Sequence, residues 1–99
     1  MPATRVGKGI QMDMYVIRSE EYGELQRLVD VLFRPGVSAR ATVSKIDVLT
    51  RAEAFDFGAD LQEVVDLLPS RSFTRAQLCD QMNSILSGHG WGGVYGTVE

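Results

Sequence analysis

The chain has 99 residues, the length of one domain, and its composition (44% apolar, 23% charged) is that of an ordinary globular protein. Its net charge of −3 argues against an overall field that attracts nucleic acid or anionic lipid. One cysteine and one histidine exclude an internal disulfide and a metal site built from nitrogen and sulfur ligands of a single chain.

The N-terminus lacks the apolar core of a signal peptide, and no stretch approaches the ~18 apolar residues of a membrane span. The sequence therefore predicts a cytoplasmic protein without a membrane partner. No linker rich in Gly, Ser or Pro divides the chain, so residues 1–99 are predicted to form a single domain, with a flexible N-terminal segment at residues 1–8.

The first predicted element is a strand at residues 10–17, IQMDMYVI, where apolar side chains occupy every second position. An amphipathic helix is predicted over residues 20–33. Ser19 is placed to cap it, and apolar residues recur along it at spacings of three and four. Pro35 and the glycine after it end this helix.

Residues 37–48, VSARATVSKIDV, are ambiguous. Their alternation favours a second strand, with a change of phase near Ser44 that indicates a bulge. A helix that starts at Ser44 is the competing prediction, and the sequence leaves both open.

Capping boxes, in which a Thr or Asp precedes Glu or Gln by three residues, predict three further helices. The pairs are Thr50 with Glu53, Asp60 with Glu63, and Thr74 with Gln77. The first helix is expected to end near Phe57, and the second to span 60–68 and stop at Pro69. The third is expected to span 75–87, with Gly88 as a left-handed C-cap.

The final segment, GGVYGTVE, favours a short strand at residues 93–98. The predicted fold class is therefore α+β, in the order β-α-β-α-α-α-β. A small three-stranded sheet from segments 10–17, 37–48 and 93–98 would pack against three to four helices.

The stretch GHGWGG, residues 88–93, matches the G-x-G-x-x-G pattern of dinucleotide-binding loops. Such a loop follows a strand and opens a helix, whereas this one follows a predicted helix and only six residues remain after it. The sequence thus predicts no nucleotide and no other cofactor. The aromatic side chains in and after this turn either pack on the domain or contact a partner, and the partner-binding candidates are His89, Trp91 and Tyr95.

No catalytic or metal-binding residue is predicted. Cys79 lies at the edge of the apolar stripe of the predicted helix 75–87, which is typical of a small buried hydrophobic residue rather than of a nucleophile paired with His89. The carboxylates of residues 53–69 lack the spacing of a calcium loop. An enzyme or small-ligand site assembled from distant residues stays open as a third possibility.

Charge is unevenly spread along the chain. Residues 34–52 carry four bases against Asp47 alone, and residues 53–69 carry five carboxylates with no base. These segments indicate either two solvated faces or complementary surfaces for a partner or a second copy.

The segment from residue 60 to 87 has the helix, connection and capped helix of a helix-turn-helix, so a DNA-binding regulator is the main alternative. Its candidate nucleic-acid contacts are Arg34, Arg40, Lys45, Arg51, Arg71 and Arg75. The polar face of the second helix carries Asp80 but no lysine or arginine, which disfavours binding to phosphates.

The function that the sequence favours is a non-enzymatic interaction or regulatory module that acts through protein–protein contacts, with a protein partner or as a homodimer. Three short strands would leave open edges, to which a peptide or a second copy could add a strand.

Overall fold

The computed structural model describes residues 17–99 of the chain. In chain order, its elements are α1 (Glu24–Leu32), β1 (Val43–Ser44), α2 (Lys45–Glu53), α3 (Ala59–Asp66), β2 (Ser72–Phe73), α4 (Arg75–His89) and α5 (Gly92–Tyr95). The two strands form an antiparallel sheet in which Val43 faces Phe73 and Ser44 faces Ser72. The described part is therefore a mixed helix and sheet fold in which helices predominate.

The core is formed by apolar side chains that recur at helical spacing on the three helices α1, α3 and α4. Its buried residues on these helices are Leu25, Leu28 and Val29, then Leu61, Val64 and Val65, and finally Leu78, Cys79, Met82 and Leu86. Val48 and Ala52 of α2, Phe73 of β2, and Phe33, Leu68 and Val98 complete it. The predicted burial of Cys79 as a small hydrophobic side chain is confirmed, since only 6% of it is exposed.

Helix α1 begins four residues later than the sequence predicted. The Ser19 hydroxyl accepts the N–H of Glu21 within a turn, so it caps no helix. Gly23 then adopts a left-handed conformation, with φ of 90°, as the N-cap of α1. Glycine takes up this conformation without steric cost, and the turn that it closes holds residues 20–23 outside the helix.

The ambiguous segment 37–48 resolves mainly in favour of the competing helix. Only Val43–Ser44 is strand, and α2 starts immediately after Ser44. The Ser44 hydroxyl accepts the N–H of Asp47 at 3.1 Å, and the Asp47 carboxylate accepts the N–H of Ser44 at 2.9 Å. Hydrogen bonds with Ser44 lower the pKa of Asp47, and the one from the Ser44 main chain has the larger effect. The predicted Thr50 capping box is wrong because Thr50 lies inside α2.

The predicted Asp60 capping box is also wrong. Helix α3 starts at Ala59, and its N-cap is Gly58, whose N–H donates to the Glu21 carboxylate at 2.8 Å. Asp60 lies within the first turn of α3, where an acidic side chain interacts favourably with the helix dipole.

The start of α4 is confirmed and its end is corrected. The Thr74 hydroxyl accepts the N–H of Gln77 at 3.2 Å, and the Gln77 side chain accepts the N–H of Thr74 at 3.0 Å. The helix continues through Gly88 to His89, and the left-handed C-cap is Gly90, with φ of 72°. Gly88 was therefore the wrong choice of cap by two positions.

The predicted strand at residues 93–98 is replaced by the short helix α5 and an extended tail. Side-chain amides satisfy the main chain of this tail. Asn83 exchanges two hydrogen bonds with Val98, at 2.8 and 2.9 Å, and Gln26 exchanges two with Glu99, also at 2.8 and 2.9 Å. These amides take the place of a neighbouring strand.

The described residues thus hold a two-stranded sheet in place of the three strands predicted. The predicted strand at 10–17 lies outside the described residues, apart from Ile17. Among the helices of residues 17–99, none has the length and apolar character needed to cross a membrane.

Candidate functional site

The structure brings together the three aromatic residues that the sequence singled out for partner binding. The His89 and Trp91 rings are stacked, with their centroids 4.1 Å apart. The Trp91 and Tyr95 rings meet edge to face at 5.8 Å. Trp91 and Tyr95 are partly buried against the core, as the packing interpretation of Trp91 predicted.

Two carboxylates of α3 fix this aromatic cluster of His89, Trp91 and Tyr95. The Tyr95 hydroxyl donates to Asp60 at 2.5 Å, and this hydrogen bond, above all other causes, raises the pKa of Tyr95 to about 12. His89 Nε2 lies 3.2 Å from the Glu63 carboxylate. A histidine beside a carboxylate can act as a general base, and the stacked Trp91 ring covers only a face of the imidazole. The cluster joins α5 to α3, and its partner-binding role stays a prediction.

Cys79 and His89 do not form a nucleophilic pair. They lie ten residues apart on the same helix, which separates them by about 15 Å along its axis. Burial raises the pKa of the Cys79 thiol, so the reactive thiolate is disfavoured. Within residues 17–99, no three His, Cys, Asp or Glu side chains are grouped so that they could hold a metal ion.

Arg75, one of the predicted nucleic-acid contacts, forms hydrogen bonds with other parts of the same chain. Its guanidinium donates to Asp30 at 2.6 Å, to the main-chain oxygen of Phe33 at 3.2 Å and to that of Glu99 at 2.8 Å. The hydrogen bond from Arg75 lowers the pKa of Asp30. Arg75 thus links α1, α4 and the tail, and its donors are engaged there.

The other predicted basic contacts fall on more than one surface, and Lys45 and Arg71 share a pocket beside Ser44 and Ser72. Lys45 donates to the main-chain oxygen of Asp66 at 2.7 Å, at the end of α3 where the helix dipole favours a cation. The Arg71 guanidinium lies over the Phe73 ring, 5.3 Å from its centroid. Arg40 is exposed in the loop between α1 and β1.

Arg34 and Arg51, in contrast, line one open groove between α1 and α2, with a volume of about 530 Å³. We call it the α1–α2 groove, and its lining includes Leu32, Arg34, Val37, Val43, Asp47 and Arg51. Leu32 and Val43 pack partly against the core, whereas Val37 is 47% exposed. The groove therefore combines solvent-exposed aliphatic carbon with two cations.

The lining of the α1–α2 groove holds two arginines and one carboxylate, so its net charge is positive. Within residues 17–99, neither Arg34 nor Arg51 has a carboxylate within 4.0 Å. Asp47 also lines the groove, but its carboxylate accepts the Ser44 N–H in the capping box. The two guanidinium groups are thus free, among the described residues, to meet carboxylates of another molecule.

One edge of the two-stranded sheet is partly blocked to strand addition, and the predicted addition of a strand from a partner stays a prediction. Lys45 N–H donates to Arg71 O at 3.1 Å, so the alternation of an antiparallel ladder turns the N–H groups of Ser44 and Ser72 outward. The Asp47 carboxylate accepts the Ser44 N–H. The capping boxes that start α2 and α4 directly after the strands keep this sheet short.

The α1–α2 groove was not among the sequence predictions. The excess of bases in residues 34–52 is the signal that hinted at it. The meeting of Arg34 and Arg51, however, depends on how α1 packs against α2. A second exposed apolar pair, Ile46 at 74% and Leu67 at 52%, lies at the end of the α2–α3 pair where Lys45 meets Asp66.

Comparison of the chain with protein-family models, with curated proteins and with solved structures found no match.

Proposed function

We propose that the chain is a non-enzymatic interaction or regulatory module that acts through protein–protein contacts. The observation that carries this proposal is the α1–α2 groove, whose open lining combines aliphatic side chains with Arg34 and Arg51. A partner that covered these aliphatic side chains would remove apolar surface from water, at about 25 cal/mol per Å². It could also pair the two guanidinium groups, and arginine is among the residues enriched in interfaces.

Self-association is one form of such contact. The carboxylates of residues 53–69 are complementary in charge to the groove, so a second copy of the chain belongs to the same proposal. Because each strand of the described sheet has only two residues, such a dimer would form mainly through side chains.

A photo-crosslinking amino acid in place of Val37 tests the proposal in cells of the source organism. We expect adducts heavier than the monomer, and none from the matched position Ser87, which is exposed on α4. Sedimentation of the purified chain at moderate salt separates self-association from a second protein. A chain that stays monomeric and gives no protein adduct from Val37 would contradict the proposal.

DNA binding is the second candidate, and the free guanidinium groups of Arg34 and Arg51 are what favour it. Two observations weigh against it: Arg75 is engaged inside the fold, and Asn83 on α4 is bonded to the tail. A mobility-shift assay with duplex DNA at low salt decides between the two. Binding that weakens steeply as salt rises would support DNA recognition, and no shift at low salt would eliminate it.

A further inference from the structure

We propose that the α1–α2 groove binds an acidic amphipathic helix of a partner protein. The carboxylates of that helix would pair with Arg34 and Arg51, and its apolar side chains would cover Leu32, Val37 and Val43. This inference rests on the proposed function and names the chemistry of the partner.

The charge of the groove selects an acidic ligand. Arg34 follows the last turn of α1 and Arg51 lies in the last turn of α2, and both line the same cavity. Within residues 17–99 neither has an ionic partner, while Asp47 is held by its capping box. A carboxylate of a partner could therefore pair with these two guanidinium groups without breaking an existing salt bridge.

The floor of the groove selects an amphipathic ligand over a merely anionic one. Leu32 and Val43 are partly buried, and Val37 is 47% exposed beside them. Phosphate backbones cover no aliphatic surface. A protein segment that carries both carboxylates and aliphatic side chains can pair with the arginines and also cover the aliphatic surface of the groove.

The neighbouring strand selects a helix over an extended peptide. Strand β1 borders the groove through Val43, but the outward N–H of Ser44 is already bonded to Asp47. An extended peptide would find no ladder to join there. A helix needs no main-chain partner, because it presents apolar residues at i, i+3 and i+4 and carboxylates beside them.

The test uses the full chain labelled with ¹⁵N and a synthetic helical peptide built from Leu and Glu, with Leu at i, i+3, i+4 and i+7. We expect amide shifts confined to residues around Leu32, Val37, Val43 and Ala54. The double substitution R34A/R51A should weaken binding about tenfold, whereas R40A, an exposed arginine outside the groove, should leave it unchanged. Peptides with Lys in place of Glu, or Ala in place of Leu, should bind at least about tenfold more weakly.

Several results would overturn the inference: no shifts with the Leu–Glu peptide, shifts outside the groove, equal binding by R34A/R51A, or preference for duplex DNA at the same residues. It would also fall if R34A/R51A shifted the resonances of residues 1–16 in the free chain, because the groove would then hold the chain's own segment. If the double variant does not fold, Arg51→Gln replaces it. A Val37 adduct without peptide binding would leave the proposed function intact and remove only this inference.

Discussion

Tyr95 shows how a single hydrogen bond sets the chemistry of a residue. Its hydroxyl lies 2.5 Å from the Asp60 carboxylate, and the ionised tyrosine would face that negative charge directly. The pKa of Tyr95 therefore rises to about 12. The bond links α5 to α3, so we expect it to stabilise the folded state as well as to raise the pKa of Tyr95.

Substitution of Tyr95 by Phe should lower the free energy of unfolding at neutral pH by about 1 kcal/mol, because Asp60 loses its donor. The folded pKa lies above the unfolded value near 10, so the stabilisation from this tyrosine is present below pH 10 and is lost between about pH 10 and 12. Urea unfolding and tyrosinate absorbance against pH measure both effects.

The matched control is Tyr22→Phe, which keeps the bond between Tyr95 and Asp60. The late tyrosinate step should survive in this control and vanish in Y95F. A wild-type chain whose tyrosines all titrate near pH 10, with Y95F as stable as the wild type, would show that the hydrogen bond is absent in solution.

At the scale of the element, the end of α4 is set by Gly90. This glycine has φ of 72°, a conformation that costs an alanine about 1 kcal/mol, whereas Gly88 lies inside the helix. A Cβ atom at either position would meet nothing within 4 Å, so only the backbone distinguishes them. Gly90→Ala should therefore destabilise the protein by about 1 kcal/mol, and Gly88→Ala should stabilise it by a similar amount. Thermal unfolding of the two variants measures these changes in stability. A stabilising Gly90→Ala together with a destabilising Gly88→Ala would place the cap at Gly88.

The start of α2 gives a second pair of matched substitutions. Ser44→Ala removes the hydroxyl that accepts the Asp47 N–H and should cost about 1 kcal/mol. Thr50→Ala, inside α2, should cost nothing or stabilise slightly, since alanine is the better helix former. Chemical unfolding compares them. A larger loss of stability in T50A than in S44A would show that the capping box predicted at Thr50 is present.

At the scale of the whole molecule, Arg75 links three parts of the chain through Asp30, Phe33 and Glu99. Arg75→Ala should lower the free energy of unfolding by about 1 kcal/mol, a modest figure because both charged side chains are partly exposed. The pKa of Asp30 is lowered in the folded state, so this stabilisation is present above its unfolded pKa and is lost as the pH falls through the folded pKa.

The difference between the wild type and R75A should therefore narrow in acid, as urea unfolding at a series of pH values would show. Arg40→Ala, with an exposed side chain outside this network, is the control and should change nothing. A difference that stays constant down to low pH would rule out the pair with Asp30 as its source.

Local patterns predicted local structure. The Thr74 box, the apolar stripes of α1, α3 and α4, and the burial of Cys79 all follow from residues within one or two helical turns. The same local signals failed where two of them competed. Alternation from Val37 to Val43 resembled a strand, and the segment folded into a helix only from Lys45, where the Ser44 box begins.

Contacts distant in sequence explain the other errors and the missed groove. The tail resembles a strand, but its partners are the amides of Gln26 and Asn83, the first of them 73 residues before Glu99. No periodicity reveals such a pairing. Likewise, the sequence indicated a basic segment but could not place Arg34 and Arg51 on one groove, because that depends on the packing of α1 against α2.

The measurement that most directly tests the α1–α2 groove as the interaction surface is the yield of protein adduct from a crosslinker at position 37, compared across substitutions. We expect a strong adduct in an otherwise unaltered chain and in R40A, and its loss in R34A/R51A. An adduct of equal yield in all three, or from position 87 instead of 37, would contradict the account.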